Sequence, residues 1–261
     1  METIQGNLYD FPRYYDLVFG SDWKAEFAFL RKCFDQFAAG RVARIFEPAC
    51  GTGRLMFRLA KAGYEVSGLD LNKKAVQYCN DRLTRHGLAG QAFVGDMTKF
   101  RLGDQVDAAF NMINSFRHLL DEQQARSHLR CVAQGLRTGG IYVLGLHLTP
   151  TLVEPMGEES WSARRGHLCV NTHLQTTDRD LAKRREEFTM TYDVYTPTRG
   201  FRIQDSVVFR TYTVDQIKHL IGAVKELKHI ETYDFAYDMQ HPISLTGDAE
   251  DIVLVLRKQS C

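Results

Sequence analysis

The chain has no apolar run of about eighteen residues, so no segment reads as a membrane-spanning helix. Its opening stretch, METIQGNLYDFPRYYD, lacks the apolar core of a secretory signal. The six cysteines (33, 50, 79, 131, 169 and 261) are scattered and include no Cys-x-x-Cys pair. Several fall at apolar helix or strand positions, where a reduced thiol serves as a small hydrophobe. The expectation is a soluble protein of a reducing, cytoplasmic compartment. Charge of one sign is also lacking. With a net charge of +1, nothing draws the whole molecule to nucleic acid or to an anionic membrane. There is no internal repeat and no low-complexity tract. A content of 44% hydrophobic and 25% charged residues excludes wholesale disorder, and 261 residues suffice for a core without disulfides or metal.

The stretch Ile45–Gly53, IFEPACGTG, organises the rest. A short apolar run ends in Glu47, and Pro48-Ala49-Cys50-Gly51-Thr52-Gly53 leads into a helical pattern with Leu55, Met56, Leu59 and Ala60 on one side. This is a strand, a glycine turn and a helix, the arrangement in which backbone comes close to a ligand. A second short strand, Glu65–Asp70, ends in a carboxylate. Asp70 lies 23 residues after Glu47, the spacing at which an acid meets ribose hydroxyls beside a glycine loop.

Further along, apolar strands alternate with helical periods. Asn72 is placed to cap a helix reaching about Leu83–His86. Gln91–Val94 leads to Gly95-Asp96-Met97, and Val106–Asn111 leads to Asn114, Ser115, Phe116 and His118. A helix from Asp121 stops at Gly139-Gly140, and Ile141–His147 is nearly all apolar, as in a parallel strand covered on both faces. Glu47, Asp70, Asp96 and Asn111 all fall at strand ends, where a doubly wound sheet binds ligands. Over 161–211 the helical period gives way to alternation, read as three antiparallel strands inserted after the fifth strand. Thr213-Val-Asp-Gln216 is a capping box that opens a returning helix, followed by strands near Leu227–Phe235 and Asp251–Arg257.

In its E-x-A-x-G-x-G register, the turn resembles motif I of class I S-adenosylmethionine methyltransferases, with Ala49 in place of the first glycine. Leu69-Asp70-Leu71-Asn72, Gly95-Asp96-Met97 and Asn111-Met112-Ile113-Asn114-Ser115 follow in the family's order, over roughly residues 42–147. The resemblance implies an α/β fold, a Rossmann-like seven-stranded and mostly parallel sheet with an inserted antiparallel β lid. Residues 1–150 and 212–261 would form the cofactor-binding core and 151–211 the lid over the acceptor. S-adenosylmethionine is the implied cofactor. Gly51 and Gly53 would pass close to its methionine part, with Glu47 fixing the turn or touching that part through water. Asp70 would take the ribose hydroxyls, and Asp96 the adenine amino group. Met97 would lie against the ring, with Leu71 and Phe93 helping to sandwich it, and Ala49 and Asn111 complete the cofactor set.

Small-molecule members often carry a Tyr-Asp pair before the first helix, which implies Tyr9 and Tyr15 as cofactor contacts; helix packing is the plainer reading. His118 lies where sugar-amine N-methyltransferases place a base, and Tyr15 joins it as a catalytic candidate. His167, Cys169 and His173 share a strand face but lack a convincing fourth ligand, so no metal is expected. The expectation is methyl transfer to N or O of a small-molecule acceptor, with no membrane partner and nucleic acid disfavoured. An RNA or other macromolecular acceptor, a non-catalytic cofactor-binding sensor or scaffold, and an NAD oxidoreductase are the rivals. Oligomeric state is not legible.

Overall fold

The computed structural model describes residues 1–260; Cys261 lies outside them. The chain opens with β1 (Glu2–Gln5), a single 3-10 turn at Leu8–Asp10, and helices α1 (Pro12–Gly20) and α2 (Lys24–Phe37). Pro12 begins α1 in the first turn, where its missing N–H costs nothing. Helix α2 buries Phe29, Leu30, Cys33 and Phe34 along one face.

Strand and helix then alternate through β2 (Arg44–Pro48), α3 (Arg54–Lys61), β3 (Glu65–Asp70), α4 (Lys73–Arg85) and β4 (Gln91–Val94). They continue through β5 (Val106–Asn111), α5 (Glu122–Gly135) and β6 (Leu136–His147). Asn72 caps α4 by accepting the N–H groups of Lys74 and Ala75. A second set of strands follows: β7 (Glu158–Arg165), β8 (Leu168–Asp180), β9 (Arg185–Tyr195) and β10 (Gly200–Arg210). The chain returns through α6 (Val214–Gly222), β11 (Leu227–Tyr233) and β12 (Asp251–Lys258), and the Thr213/Gln216 capping box is formed.

Two sheets result. The larger has the order β11-β12-β6-β5-β2-β3-β4, all neighbours parallel except for β12, which runs antiparallel to both β6 and β11. Its two faces are buried against different helices, so adjacent residues divide between two cores. Phe46, Tyr142 and Leu254 face α5 and α6, whereas Ile45, Val143 and Val253 face α2 and α3. From β2 the chain winds outward to β3 and β4, then returns to place β5 on the other side of β2. That reversal opens a crevice at the carboxyl ends of β2 and β5.

The smaller sheet has the order β1-β10-β9-β8-β7. Where three inserted strands were expected there are four, and β1, expected with the core, adds to them in parallel with β10. Strand β7 has the sequence EESWSARR and buries only Ala163, so its edge position leaves it no apolar alternation to detect. Strand β6 also begins earlier than Ile141: Leu136 already pairs with Val106, and the register shift that follows takes up Gly139 and Gly140. No helix of the described residues is long and apolar enough to cross a membrane.

Candidate active site

The loop after β2 sets the geometry. Ala49, Gly51 and Gly53 all take positive φ (53°, 52° and 65°), which turns the chain sharply enough for Cys50 N–H to reach the Leu69 carbonyl at 2.8 Å. Gly51 exposes its N–H to Asp70, whose Oδ2 accepts it at 2.8 Å. The other oxygen of Asp70 accepts Asn72 N–H at 2.8 Å. Asp70 therefore joins the glycine loop to the cap of α4, and each carboxylate oxygen keeps lone-pair capacity for a ligand. Burial raises its carboxyl above the ordinary value, against the pull of those two N–H groups.

Above this loop lies a cavity of about 890 Å3 between the carboxyl ends of the large sheet and the inner face of the small one. Ala49, Gly51, Asp70, Leu71 and Met97 line one part. Leu71 is 71% exposed, an apolar side chain left for a ligand to cover. Across from it, Trp161, Phe188, Met190 and Phe209 of the small sheet form a roof.

The segment between β1 and α2 closes one side. Asp10 accepts Asn72 Nδ2 at 2.7 Å and Lys74 Nζ at 3.1 Å. Asp16, buried, accepts Arg82 Nη1 at 2.7 Å and the hydroxyls of Thr52 and Tyr78 at 3.2 Å. Between these anchors, Tyr9 and Tyr15 enter the cavity with ring centroids 5.4 Å apart. A Cβ on Gly51 would come within 3.6 Å of the Tyr15 ring, an ordinary contact; it is the positive φ that favours glycine there.

His118 sits at the end of the 3-10 turn Ser115–His118. Its Nε2 meets the Tyr9 hydroxyl at 2.9 Å, and its ring lies against Phe209. Burial first, then the neighbouring Arg117 guanidinium, pushes its pKa down to about 4. At neutral pH it is an uncharged imidazole. Arg117 is itself buried, donating to Glu186 Oε2 at 2.6 Å and to the Arg210 carbonyl at 2.9 Å. It thereby ties the His118 turn to β9 and β10.

Tyr9, Tyr15, Ala49, Gly51, Asp70, Leu71, Met97 and His118 thus meet around one cavity. Five other expected residues are not part of its lining. Asn111 is buried and donates Nδ2 to the Pro48 carbonyl at 2.7 Å, which ties β5 to β2. Gly53 is small because a side chain there would collide with Cys79 Sγ of α4. Asp96 folds back to accept Thr98 N–H and Oγ1, both at 2.8 Å. Glu47 is buried with no partner for Oε2, and desolvation raises its carboxyl to about 8. Phe93 stacks on Phe46. Among the described residues no cluster of His, Cys, Asp or Glu has the grouping of a metal site.

His128 gave no signal in the sequence beyond a helical apolar position. It is fully buried; Nδ1 donates to the Met97 carbonyl at 3.0 Å and Nε2 accepts the Tyr142 hydroxyl at 2.8 Å. It fixes the backbone that presents Met97. Desolvation, opposed by its contact with the Met97 carbonyl, lowers its pKa to about 4. The unfolded chain therefore binds more protons between pH 6.5 and 4, and stability present above that window falls as the pH drops through it. For His128 the loss approaches about 3 kcal/mol. Urea unfolding at pH 7 and pH 4.5 should show it, and His128→Asn should reduce the difference, leaving the part due to His118; an unaltered pH dependence in the variant would count against this account.

S-adenosylmethionine fits this arrangement: a carboxylate with free acceptor capacity lies beside an open glycine backbone, and the exposed Leu71 is left for a base to cover. The comparisons agree. Residues 45–140 match the family model described as a methyltransferase domain. A putative methyltransferase of Geobacillus sp. (strain WCH70) is 26% identical over 140 residues, covering 53% of this chain and 57% of that relative. The chain thus spans little more than half the length of this curated relative. A solved S-adenosylmethionine-dependent methyltransferase from Clostridium acetobutylicum is 16% identical with a TM-score of 0.77, covering 97% of this chain and all of that one. The sugar N-methyltransferase KedS8 from Streptoalloteichus sp. is 17% identical with a TM-score of 0.75, covering 98% of this chain and 94% of that one. At such identities the structural likeness establishes the fold.

Proposed function

With residues 45–140 a methyltransferase domain of the class I, S-adenosylmethionine-dependent type, we propose that the protein methylates a nitrogen or oxygen of a small molecule, nitrogen preferred. The roofed cavity carries this reading. At about 890 Å3 it falls within the ~300–1,000 Å3 of small-molecule sites, and it must admit donor and acceptor together. Asp22, Glu158, Glu159 and Glu250 line it without an ion-pair partner among the described residues, a lining that favours an acceptor carrying an amine. An amino sugar is the acceptor class in keeping with the KedS8 likeness. Residues 7–150 and 212–261 serve as the cofactor-binding core, and 151–211, joined by β1, as the lid over the acceptor.

Bound S-adenosylmethionine supplies an activated methyl group on a sulfonium. The protein contributes position and a dry site. Asp70 holds the ribose hydroxyls, the Ala49–Gly51 backbone lies along the methionine part, and Leu71 and Met97 flank the base. Tyr15 closes over the loop. Displacement at a methyl carbon must be in line, so holding the two reactants in register supplies much of the acceleration. The roof keeps water from competing for the methyl group.

Calorimetry with S-adenosylmethionine, S-adenosylhomocysteine and NAD tests the cofactor. Micromolar or tighter binding of the two adenosyl ligands, with none of NAD, is expected; absence of adenosyl binding refutes the reading.

A further inference from the structure

His147, the last residue of β6, lines the same cavity, and the mechanism above makes no use of it. It lies directly across the β6–β12 pair from Asp251, so the two side chains share a face by register, and His147 Nδ1 contacts Asp251 Oδ1. Carboxylate oxygens only accept, so Nδ1 carries the proton, and in the neutral ring Nε2 is left with its lone pair. The Phe235 ring stands at 63° to the imidazole with centroids 5.1 Å apart, which fixes the ring plane. The His147 backbone is fixed as well: its N–H donates to Asn114 Oδ1 at 3.0 Å, and Asn114 lines the cavity one turn before His118. The ionisable groups on this wall are Asp251 opposite, Glu250 next to it, and Tyr237 beyond Phe235.

The cavity therefore holds two histidines in different surroundings. His118 is buried beside a guanidinium and already engaged through Nε2 with Tyr9. His147 is half-buried and held by a carboxylate. A carboxylate behind an imidazole fixes its tautomer and stabilises the imidazolium formed when it takes a proton.

We propose that His147, oriented by Asp251, accepts the proton from the methyl acceptor. This rests on the reading of the cavity as the site of methyl transfer. The acceptor's N–H or O–H bond breaks, its proton passing to Nε2, and the pair on nitrogen or oxygen forms the new bond to the methyl carbon. The carbon–sulfur bond breaks with its pair returning to sulfur, which leaves the neutral thioether. Asp251 is the positioning residue, and His118 with Tyr9 shapes the opposite side of the acceptor.

Two measurements test the proposal. In the first, 15N NMR of the protein with S-adenosylhomocysteine should show His147 with its proton on Nδ1. Asp251→Asn should erase that preference and Asp251→Glu should restore it; a proton on Nε2 in the wild type overturns the proposal without any variant. In the second, release of S-adenosylhomocysteine is followed with a panel of free and nucleotide-linked amino sugars. His147→Gln should lower kcat about 100-fold or more with S-adenosylhomocysteine affinity unchanged. Asp251→Asn should give a smaller loss, carried in kcat rather than KM and recovered by Asp251→Glu. Wild-type kcat in His147→Gln removes His147 while leaving methyl transfer intact. Adenosyl binding with no wild-type turnover on any panel member removes the transfer reading and the proposal with it.

Discussion

Asp70→Ala is expected to weaken S-adenosylhomocysteine binding by about 100-fold or more, the largest loss of affinity from any single side chain in the site. Two effects add. The ribose loses an ionised acceptor able to take both hydroxyls, and hydrogen bonds to charged groups contribute about 1.5–3 kcal/mol each. The loop also loses its latch, since Asp70 holds the N–H groups of Gly51 and Asn72, each at 2.8 Å. Without it, a turn with three successive odd-numbered residues at positive φ has less to keep it closed. Asp70→Asn keeps one acceptor and should fall between wild type and alanine. Calorimetry separates the three proteins, and near-native affinity in the alanine variant would refute the assignment of the ribose to this residue.

Glu186→Gln should give the largest loss of stability. Glu186 is 4% exposed and accepts from two guanidiniums, Arg117 Nη2 at 2.6 Å and Arg179 Nε at 2.6 Å. An amide cannot balance both cations. Removing one partner of a buried ion pair costs about 3–5 kcal/mol, because a charge is left without compensation. For a chain of this length that corresponds to a fall in Tm on the order of 6–15 °C. The exposed Lys183–Asp180 pair is the control: Lys183→Ala should leave Tm almost unmoved. Equal melting temperatures for Glu186→Gln and wild type would mean that the network contributes little to holding the two sheets together. Loosening should show first in the turn that carries Arg117 and His118.

The parts legible in the sequence are those in which a short stretch dictates its own structure. Gly51 and Gly53 announce a turn, Asn72 and Thr213 announce helix starts, and the apolar run before His147 announces a strand buried on both faces. Asp70 could be placed because a strand end and a glycine loop have a fixed spacing. The reading was less complete where partners are distant. β7 has no apolar period because its contacts lie with one neighbour and solvent, and nothing in Glu2–Gln5 names Phe201–Gln204 as its partner. Asn111, Asp96 and Gly53 sit at strand ends or turns as expected, yet Asn111 bonds Pro48, Asp96 bonds Thr98, and Gly53 makes room for Cys79. His147 and Asp251 each look ordinary alone; only the β6–β12 register pairs them. His118 was found by position, but its lowered pKa depends on burial and on Arg117, neither visible in order along the chain.

The parallel pairing of β1 with β10 also bears on how the protein is made. Residues 2–5 leave the ribosome long before residues 201–204 exist, so the first strand must wait, unpaired, while the large sheet assembles around β2 and β3. Closing so wide a loop is slow relative to local pairing, and β1 therefore docks well after the local elements around it have formed. A nascent chain halted before β10 emerges would present an open crevice, and the cavity becomes enclosed only as synthesis nears its end.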